Sequence, residues 1–462
     1  MSFDFSPVEA KMRLAGLPEA AIESFRACFD AVARGETGLL SRREIEPVTD
    51  LPDAGTLDER REEGERWLDR AVVIKLNGGL GTSMGLRRAK SLLPVRHGVS
   101  FLDLMARQVM HLRATHGIRL PLILMNSFRT HDDSLAALAR HDGIESDVPL
   151  DFVQGRVPRL TTDELLPVSW SRDRSLEWCP PGHGDLYVSL RTSGMLDHLL
   201  ARGYRYAFVS NADNLGAIFD PGILGWIAAE AVPFALEVTD RTPADRKGGH
   251  LARLRDGRLA LRESAQCPLD EEDDFQDIAR HRFFNTNNLW VDLRVLDMTL
   301  RERGGVLDLP LIRNEKNIDP DDSSSPRCLQ LETAMGTAIS VFDGATALRV
   351  PRERFAPVKT TSDLLALWSD VYDLGADARM VPSPQRTLPP LVVDLDREFY
   401  GHIDRFQERF ARGAPSLLAC SRLTVRGDVH FGRGVRVRGD VRVEAPPGRA
   451  LAIPDGAELT AS

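Results

Sequence analysis

Apolar residues along this chain come in short unbroken runs, separated by longer stretches in which they recur every three or four positions. Ala71-Val72-Val73-Ile74-Lys75-Leu76 is a run of the fully buried kind, and residues 120–125, 151–154, 206–210 and 233–239 read as further strands. Between the runs lie helical patterns. Behind Ser100 and Asp103, spaced as a capping box, Phe101, Leu102, Met105, Val109 and Leu112 share one helical face. Thr130 reads as the cap of a further helix that Gly143 ends, and another helix follows Asp185. Asp256-Gly257 marks a hairpin. Strands alternating with helices at this spacing predict a layered α/β domain on a largely parallel sheet. Ligands of such sheets gather beyond the carboxyl ends of the strands.

Both ends of the chain depart from this grammar. Residues 18–34 carry Ile22, Phe25, Ala27, Phe29 and Val32 at helical spacing, and residues 57–70 are heavily charged, which predicts a helical segment packed onto the main domain. Near the other end, Val425-Arg426-Gly427-Asp428-Val429 recurs twelve residues later as Val437-Arg438-Gly439-Asp440-Val441. Valine-rich strands with glycine corners predict a small β-helix or β-roll, with two similar hairpins as the alternative. The stretch 382–390, bounded by prolines, reads as a linker. These changes divide the chain into a helical segment over 1–68, an α/β domain over 69–380 and a β-helix over 390–462. A length of 462 residues supports such a division, since one core rarely organises so much chain.

Composition excludes several function classes. No apolar run approaches the ~18 residues of a membrane span. The N-terminal Met1-Ser2-Phe3-Asp4-Phe5 lacks the basic and apolar regions of a secretory signal. Five scattered cysteines (Cys28, Cys179, Cys267, Cys328 and Cys420) form no paired motif and read as reduced cytosolic thiols. A net charge of −9 argues against a nucleic-acid footprint and leaves a small molecule as the expected partner. Of 59 cationic residues only six are lysine: Lys11, Lys75, Lys90, Lys247, Lys316 and Lys359. Arginine-rich codon usage explains the excess of arginine but not where the lysines stand.

The candidate chemistry lies at the ends of the runs. Asn77-Gly78-Gly79-Leu80-Gly81-Thr82-Ser83-Met84-Gly85 follows the first run directly, and glycines there let backbone N–H groups approach phosphate oxygens. It is neither a Walker A loop nor a dinucleotide fingerprint, because the lysine and glycine spacings differ. Lys90-Ser91 follows downstream. Val209-Ser210-Asn211-Ala212-Asp213-Asn214 sets a carboxylate just past a buried strand, which suits Mg²⁺ shared with phosphates. Pro180-Pro181-Gly182-His183-Gly184-Asp185 offers a small-residue loop with one ring donor. Phe284-Asn285-Thr286-Asn287-Asn288-Leu289 packs three amides that suit hydroxyl recognition, turn-forming asparagines being the competing reading. Val358-Lys359-Thr360-Thr361-Ser362-Asp363 puts a lysine before a capped helix, a natural polyphosphate contact. No Gly-x-Ser-x-Gly elbow or His-Glu-x-x-His pair is present, so hydrolase readings lose support.

Together these segments resemble UDP-glucose pyrophosphorylase of the eukaryotic type. The resemblance is carried by residues 76–85, Met125-Asn126-Ser127-Phe128, residues 180–185, 209–216 and 284–290, Gln330-Leu331-Glu332-Thr333-Ala334, and residues 355–365. It implies a Rossmann-like nucleotidyltransferase domain with a mixed, mostly parallel sheet, a helical N-terminal segment and a C-terminal left-handed β-helix. It also implies a cytoplasmic, Mg²⁺-dependent enzyme, monomeric or weakly homo-oligomeric, that makes UDP-glucose and pyrophosphate from UTP and glucose 1-phosphate. By the same resemblance Leu76, Asn77, Gly78 and Gly79 would hold UTP, Lys90 its phosphates, and Gln154 and Gly182 its uracil. His183, Asn211 and Asn287 would contact the sugar, Asp213 the nucleotide's Mg²⁺, and Lys359 the reacting phosphates. Lys90 and Lys359 would be the catalytic cations. One departure stands out: the family usually has Gly-Pro before the lysine that Lys90 matches, and here the residues are Arg88-Ala89. A uridylyltransferase for galactose 1-phosphate or N-acetylglucosamine 1-phosphate, or a catalytically silent nucleotide-binding regulator, are the alternatives.

Overall fold

The computed structural model describes residues 3–96 and 98–460; Met1 and Ser2, part of the N-terminal stretch read above, lie outside them. Its sheet explains the unbroken apolar runs. In the strand Ala71–Asn77, Val72 and Ile74 enter one core while Ala71 and Val73 enter another, and Leu122–Asn126 and Tyr206–Asn211 divide in the same way. A strand covered on both faces needs apolar residues at every position. The helices Phe101–His116, Pro221–Ala229 and Thr361–Trp368 cover one face, and Leu186–Thr192, Met195–Ala201 and Leu293–Glu302 the other.

Tyr206–Asn211, Ala71–Asn77, Leu122–Asn126 and Asp151–Val153 lie side by side in parallel. Beyond Tyr206–Asn211 the pairing turns antiparallel, through Phe283–Asp292 to Phe234–Asp240 and His250–Leu254. The outcome is the expected mixed α/β fold with a largely parallel central sheet. The chain leaves Ala71–Asn77 toward one side of the sheet and reaches the other side only with Tyr206–Asn211. Neighbouring strand ends from which the chain departs in opposite directions leave a crevice between their loops. That crevice is where the site lies.

Local signals hold where side chains act on nearby backbone. Both capping boxes form, Ser100 with Asp103 and Thr360 with Asp363. The Thr130 reading needs correction. The helix His131–Leu138 stops well before Gly143, and the Thr130 hydroxyl accepts the Ser127 N–H instead of capping it. A threonine hydroxyl serves whichever N–H the local turn offers, and just past the helix the His141 ring turns to meet Asp103 at 2.8 Å.

The helices Ser6–Leu14 and Glu19–Ala33 have a core of their own. Phe5, Met12, Ile22, Phe25 and Phe29 pack against Leu160, Leu311, Leu329 and Leu331, residues of a small antiparallel sheet. At the other end, Val392–Leu395, Cys420–Arg426, Arg436–Glu444 and Glu458–Thr460 pair in parallel in that order, as do Val429–Phe431 and Leu451–Ile453. Hairpins pair antiparallel, so the hairpin alternative is excluded. Twelve residues is nevertheless not the structural period: Leu423 lies opposite Val441, and Val429 opposite Leu451. The first copy of the repeat straddles a corner between two strands, whereas the second lies inside Arg436–Glu444. This end also shares the main core. Phe406 meets Trp368 edge-on at 5.0 Å, and Arg386 within the proline-flanked stretch donates to the carbonyls of Leu417 and Leu418.

Candidate functional site

Three loops converge at the carboxyl ends of the parallel strands around a cleft of about 330 Å³. The glycine loop forms its first wall. It folds back on itself, Leu80 bridging Ala89 and the Lys90 N–H reaching the Gly79 carbonyl at 3.2 Å, so that Lys90 returns beside the glycines. Ala89 is fully buried in that bridge, which shows how the Arg88-Ala89 departure is accommodated. The Asn77 amide is committed to the fold, donating to Asn126 at 2.7 Å and to Ser134 at 2.8 Å. Gly78 is needed for close approach, since a Cβ there would meet the Gln154 amide at 2.8 Å.

Asn211, Ala212 and Asp213 form the second wall. Lys90 Nζ donates to Asp213 Oδ2 at 2.7 Å across the cleft, both side chains partly open to solvent. The third wall is the Pro180-to-Asp185 loop. Gly182 sits at φ +82° with the Thr333 carbonyl where a side chain would stand, a conformation and a space that only glycine fits. The His183 Nδ1 accepts the Met335 N–H at 3.0 Å, and burial pushes the ring down to about 4. His183 is therefore neutral near pH 7 and carries its proton on Nε2, a donor without charge.

Leu76, Asn77, Gly78, Gly79, Lys90, Gln154, Gly182, His183, Asn211 and Asp213 are thus brought together on one cleft. Asn287 and Lys359 are not among its lining. Asn287 stands on a bulge of the strand Phe283–Asp292 at φ +57°, its amide oxygen accepting from Asn285 at 2.9 Å. Lys359 is exposed, with its ammonium over the Phe355 ring at 5.8 Å. Its loop is nonetheless tied to the cleft, because the Val358 N–H donates to the Asp213 carbonyl at 3.1 Å.

Sequence reasoning passed over three contributors. Ser91 lines the cleft with a buried hydroxyl that has no partner among the described residues, and nothing in its local sequence sets it apart from its neighbour Lys90. Asp185 accepts from the Gly155 N–H and the Ser189 hydroxyl, both at 2.6 Å, locking the Gln154 segment to the His183 loop. Burial raises its carboxyl. Glu263, beside Asn285 and raised by burial, had no local signal in the sequence. The cleft contains no cysteine, and its histidine is tied to the backbone, so it offers no activated nucleophile. Its one lysine–carboxylate pair is electrically balanced, and an incoming polyphosphate calls for added positive charge.

A parallel-centred α/β sheet with a glycine loop, lysine and carboxylate at its switch point is the arrangement that nucleotide-binding sites of the group-transfer kind use. The sequence model of the UTP–glucose-1-phosphate uridylyltransferase family matches residues 22–438, and the chain belongs to that family. It is 40% identical over 459 residues to the UTP–glucose-1-phosphate uridylyltransferase of Solanum tuberosum, covering 97% of this chain and 94% of that one. Open and closed structures of the Leishmania major UDP-glucose pyrophosphorylase match with a TM-score of 0.92 at 44% identity, covering 99% of this chain and 98% of theirs. A mutant of that enzyme in complex with UDP-glucose gives 0.91 at 45% identity over the same shares.

Proposed function

We propose that this protein transfers the uridylyl group of UTP to glucose 1-phosphate, giving UDP-glucose and pyrophosphate in a reversible reaction. The observation that carries this reading is the Lys90–Asp213 pair facing the glycine loop at the sheet's switch point, in a chain of this family. A phosphate oxygen of glucose 1-phosphate attacks the α-phosphorus in line, the bond to the β-phosphate oxygen breaks, and pyrophosphate leaves with that electron pair. The attacking phosphate is already an anion, so no general base is required. Catalysis then consists of positioning and of neutralising charge. Backbone groups of Leu76, Asn77, Gly78 and Gly79 orient the nucleotide, Gln154 and Gly182 receive the uracil, and His183, Asn211 and Asn287 the sugar. Lys90 and Lys359 hold the phosphates, and the free Ser91 hydroxyl is placed to join them.

The donor set fits Mg²⁺ in the mode that ion prefers, few carboxylates plus phosphates. One Asp213 oxygen receives Lys90, the other has no partner among the described residues, and no cluster of three or more ligating side chains is found among them. Asp213 would hold the ion together with the substrate, and when bound it supplies charge neutralisation. By the same reading residues 1–68 are a helical segment, 69–380 the nucleotidyltransferase domain, and 390–462 a left-handed β-helix. Five unpaired cysteines favour a cytoplasmic enzyme, and a monomeric or weakly associating state follows from the sequence reading alone; no described helix is long and apolar enough to cross a membrane.

Pyrophosphate release measured across a panel of nucleotides and sugar phosphates tests the reading. UTP with glucose 1-phosphate is expected to give the highest kcat/KM, because a site that bonds hydroxyls penalises analogues leaving its groups unpaired. Equal kcat/KM for N-acetylglucosamine 1-phosphate or galactose 1-phosphate would reassign the sugar, and no turnover with any pair would mark a silent binder.

A further inference from the structure

We propose that Glu237 and Arg354, both buried and neither one in the cleft lining, form a positioning element that sets the Asn287 side of the site against the Asp213 and Lys359 side. The inference rests on the uridylyl-transfer reading and deepens it.

Glu237 is completely buried on the strand Phe234–Asp240, opposite Asn288 at the edge of the bulge in Phe283–Asp292. Its Oε1 accepts from the Trp290 ring N–H at 2.9 Å and from Arg354 Nη2 at 2.5 Å. Its Oε2 accepts from Asn288 at 3.0 Å and from Arg354 Nε at 2.8 Å. Four donors on two oxygens fill the carboxylate's capacity. Its backbone carbonyl takes a fifth, the Thr286 hydroxyl at 2.6 Å. Thr286 and Asn288 flank Asn287, whose left-handed backbone carries its amide out of the strand's regular pairing. One residue thus grips both neighbours of the expected sugar contact.

Arg354 carries the link to the other side. Its carbonyl accepts the Asn214 amide at 3.1 Å, and the Asn214 side-chain oxygen accepts the Ala356 N–H at 2.9 Å. With Val358 bonded to the Asp213 carbonyl at 3.1 Å, the segment 354–359 is laced along the loop that presents Asp213. Lys359 ends that segment. A fork of two parallel contacts fixes angle as well as distance, which a single contact does not. A buried ion pair is weak evidence for stability, since desolvation offsets much of the attraction. Its fixed geometry is what an apolar pair of the same volume would not reproduce. Phosphoryl-type transfer depends on placement, and a shift of ~1 Å can cost about 10²-fold in rate.

The test separates placement from stability with the variant Glu237→Gln combined with Arg354→Met, which leaves no buried unpaired charge, and with Arg354→Lys, which keeps charge without the fork. Calorimetric Kd values for UMP and UDP-glucose are measured beside kcat and thermal stability. UMP affinity is expected to stay within about twofold of wild type, since UMP lacks the sugar. UDP-glucose affinity should weaken about tenfold, and kcat should fall roughly 30- to 100-fold. Arg354→Lys, the milder change, should move UDP-glucose affinity and kcat in the same directions. Wild-type kcat and an unchanged ratio of the two affinities in either folded variant would overturn the proposal. Should the double variant fail to fold, Arg354→Lys alone decides by the same criteria. A wild-type protein without turnover would sink the uridylyl-transfer reading, while the affinity ratio still judges the positioning element.

Discussion

Lys90 meets Asp213 through one contact of 2.7 Å, with side chains 17% and 26% exposed, whereas Glu237 meets Arg354 through two contacts, at 1% and 11%. One pair lines the cleft, and the other is closed within the protein. At the cleft, water competes for both partners and an incoming anion for Lys90, so the pair is exchangeable and its strength is modest. Beneath the cleft nothing competes, and breaking the pair strands a charge in the protein. The open pair is suited to meeting phosphates and the closed one to fixing where they are met.

The largest effects should come from the open side. Asp213→Asn keeps shape and removes the charge that would hold Mg²⁺, and Lys90→Arg puts a wide planar fork where a compact ammonium fits. Each is expected to lower kcat by roughly 10² to 10³ with the fold intact by circular dichroism. Unchanged magnesium dependence in Asp213→Asn would place the metal elsewhere. Lys359→Arg should fall in the same direction by less, since that side chain stands outside the cleft walls. If it equals wild type, the charge clamp is Lys90 alone.

A stability effect comes next, at the seam with the C-terminal parallel strands. Phe406 is fully buried between Trp368 and Phe410, so Phe406→Ala is expected to cost about 3–5 kcal/mol in urea unfolding. One transition is expected because the apolar core runs through both parts. Two separate transitions would show that the C-terminal strands fold as an independent unit.

Lys75 sharpens the contrast on the buried side by its pH dependence. It donates to the Ser210 hydroxyl and the Ala217 carbonyl, both at 2.7 Å, and burial, aided by nearby Arg354, pulls its ammonium down from 10.5 to about 7. Between those values the unfolded chain holds a proton that the folded chain lacks. The contribution of Lys75 to stability therefore grows as pH rises through this window and is lost as pH falls toward 7. Wild type should gain stability over Lys75→Met between pH 7 and about 9.5. A pH-independent difference would mean that the lysine keeps its proton when folded.

The smallest effects are expected from Lys11→Arg and Lys316→Arg, within about twofold in kcat, because neither side chain helps to place the reacting groups. Lys11 pairs with Glu177 at 2.6 Å and Lys316 lies on an exposed strand position, neither one at the cleft. Equal losses across all the lysine variants would mean that the sparse lysines carry no positional information.

The sequence by itself determined what short-range physics decides. Apolar runs marked the strands buried on both faces, Ser100-to-Asp103 and Thr360-to-Asp363 spacing marked two helix starts, and the glycine loop with Lys90, Asp213 and His183 marked the cleft. Each signal acts within a few residues of itself. Tertiary structure alone decided which groups meet. It joined Lys90 to Asp213 across 123 residues of chain and Glu237 to Arg354 across 117. It turned the Thr130 hydroxyl to Ser127, set a strand register that the twelve-residue repeat did not announce, and left Asn287 and Lys359 off the cleft walls. A buried carboxylate and arginine read, in sequence, like any of the many surface charges. Only the fold brings them together out of water, where desolvation requires that each be fully bonded to the other and to its neighbours.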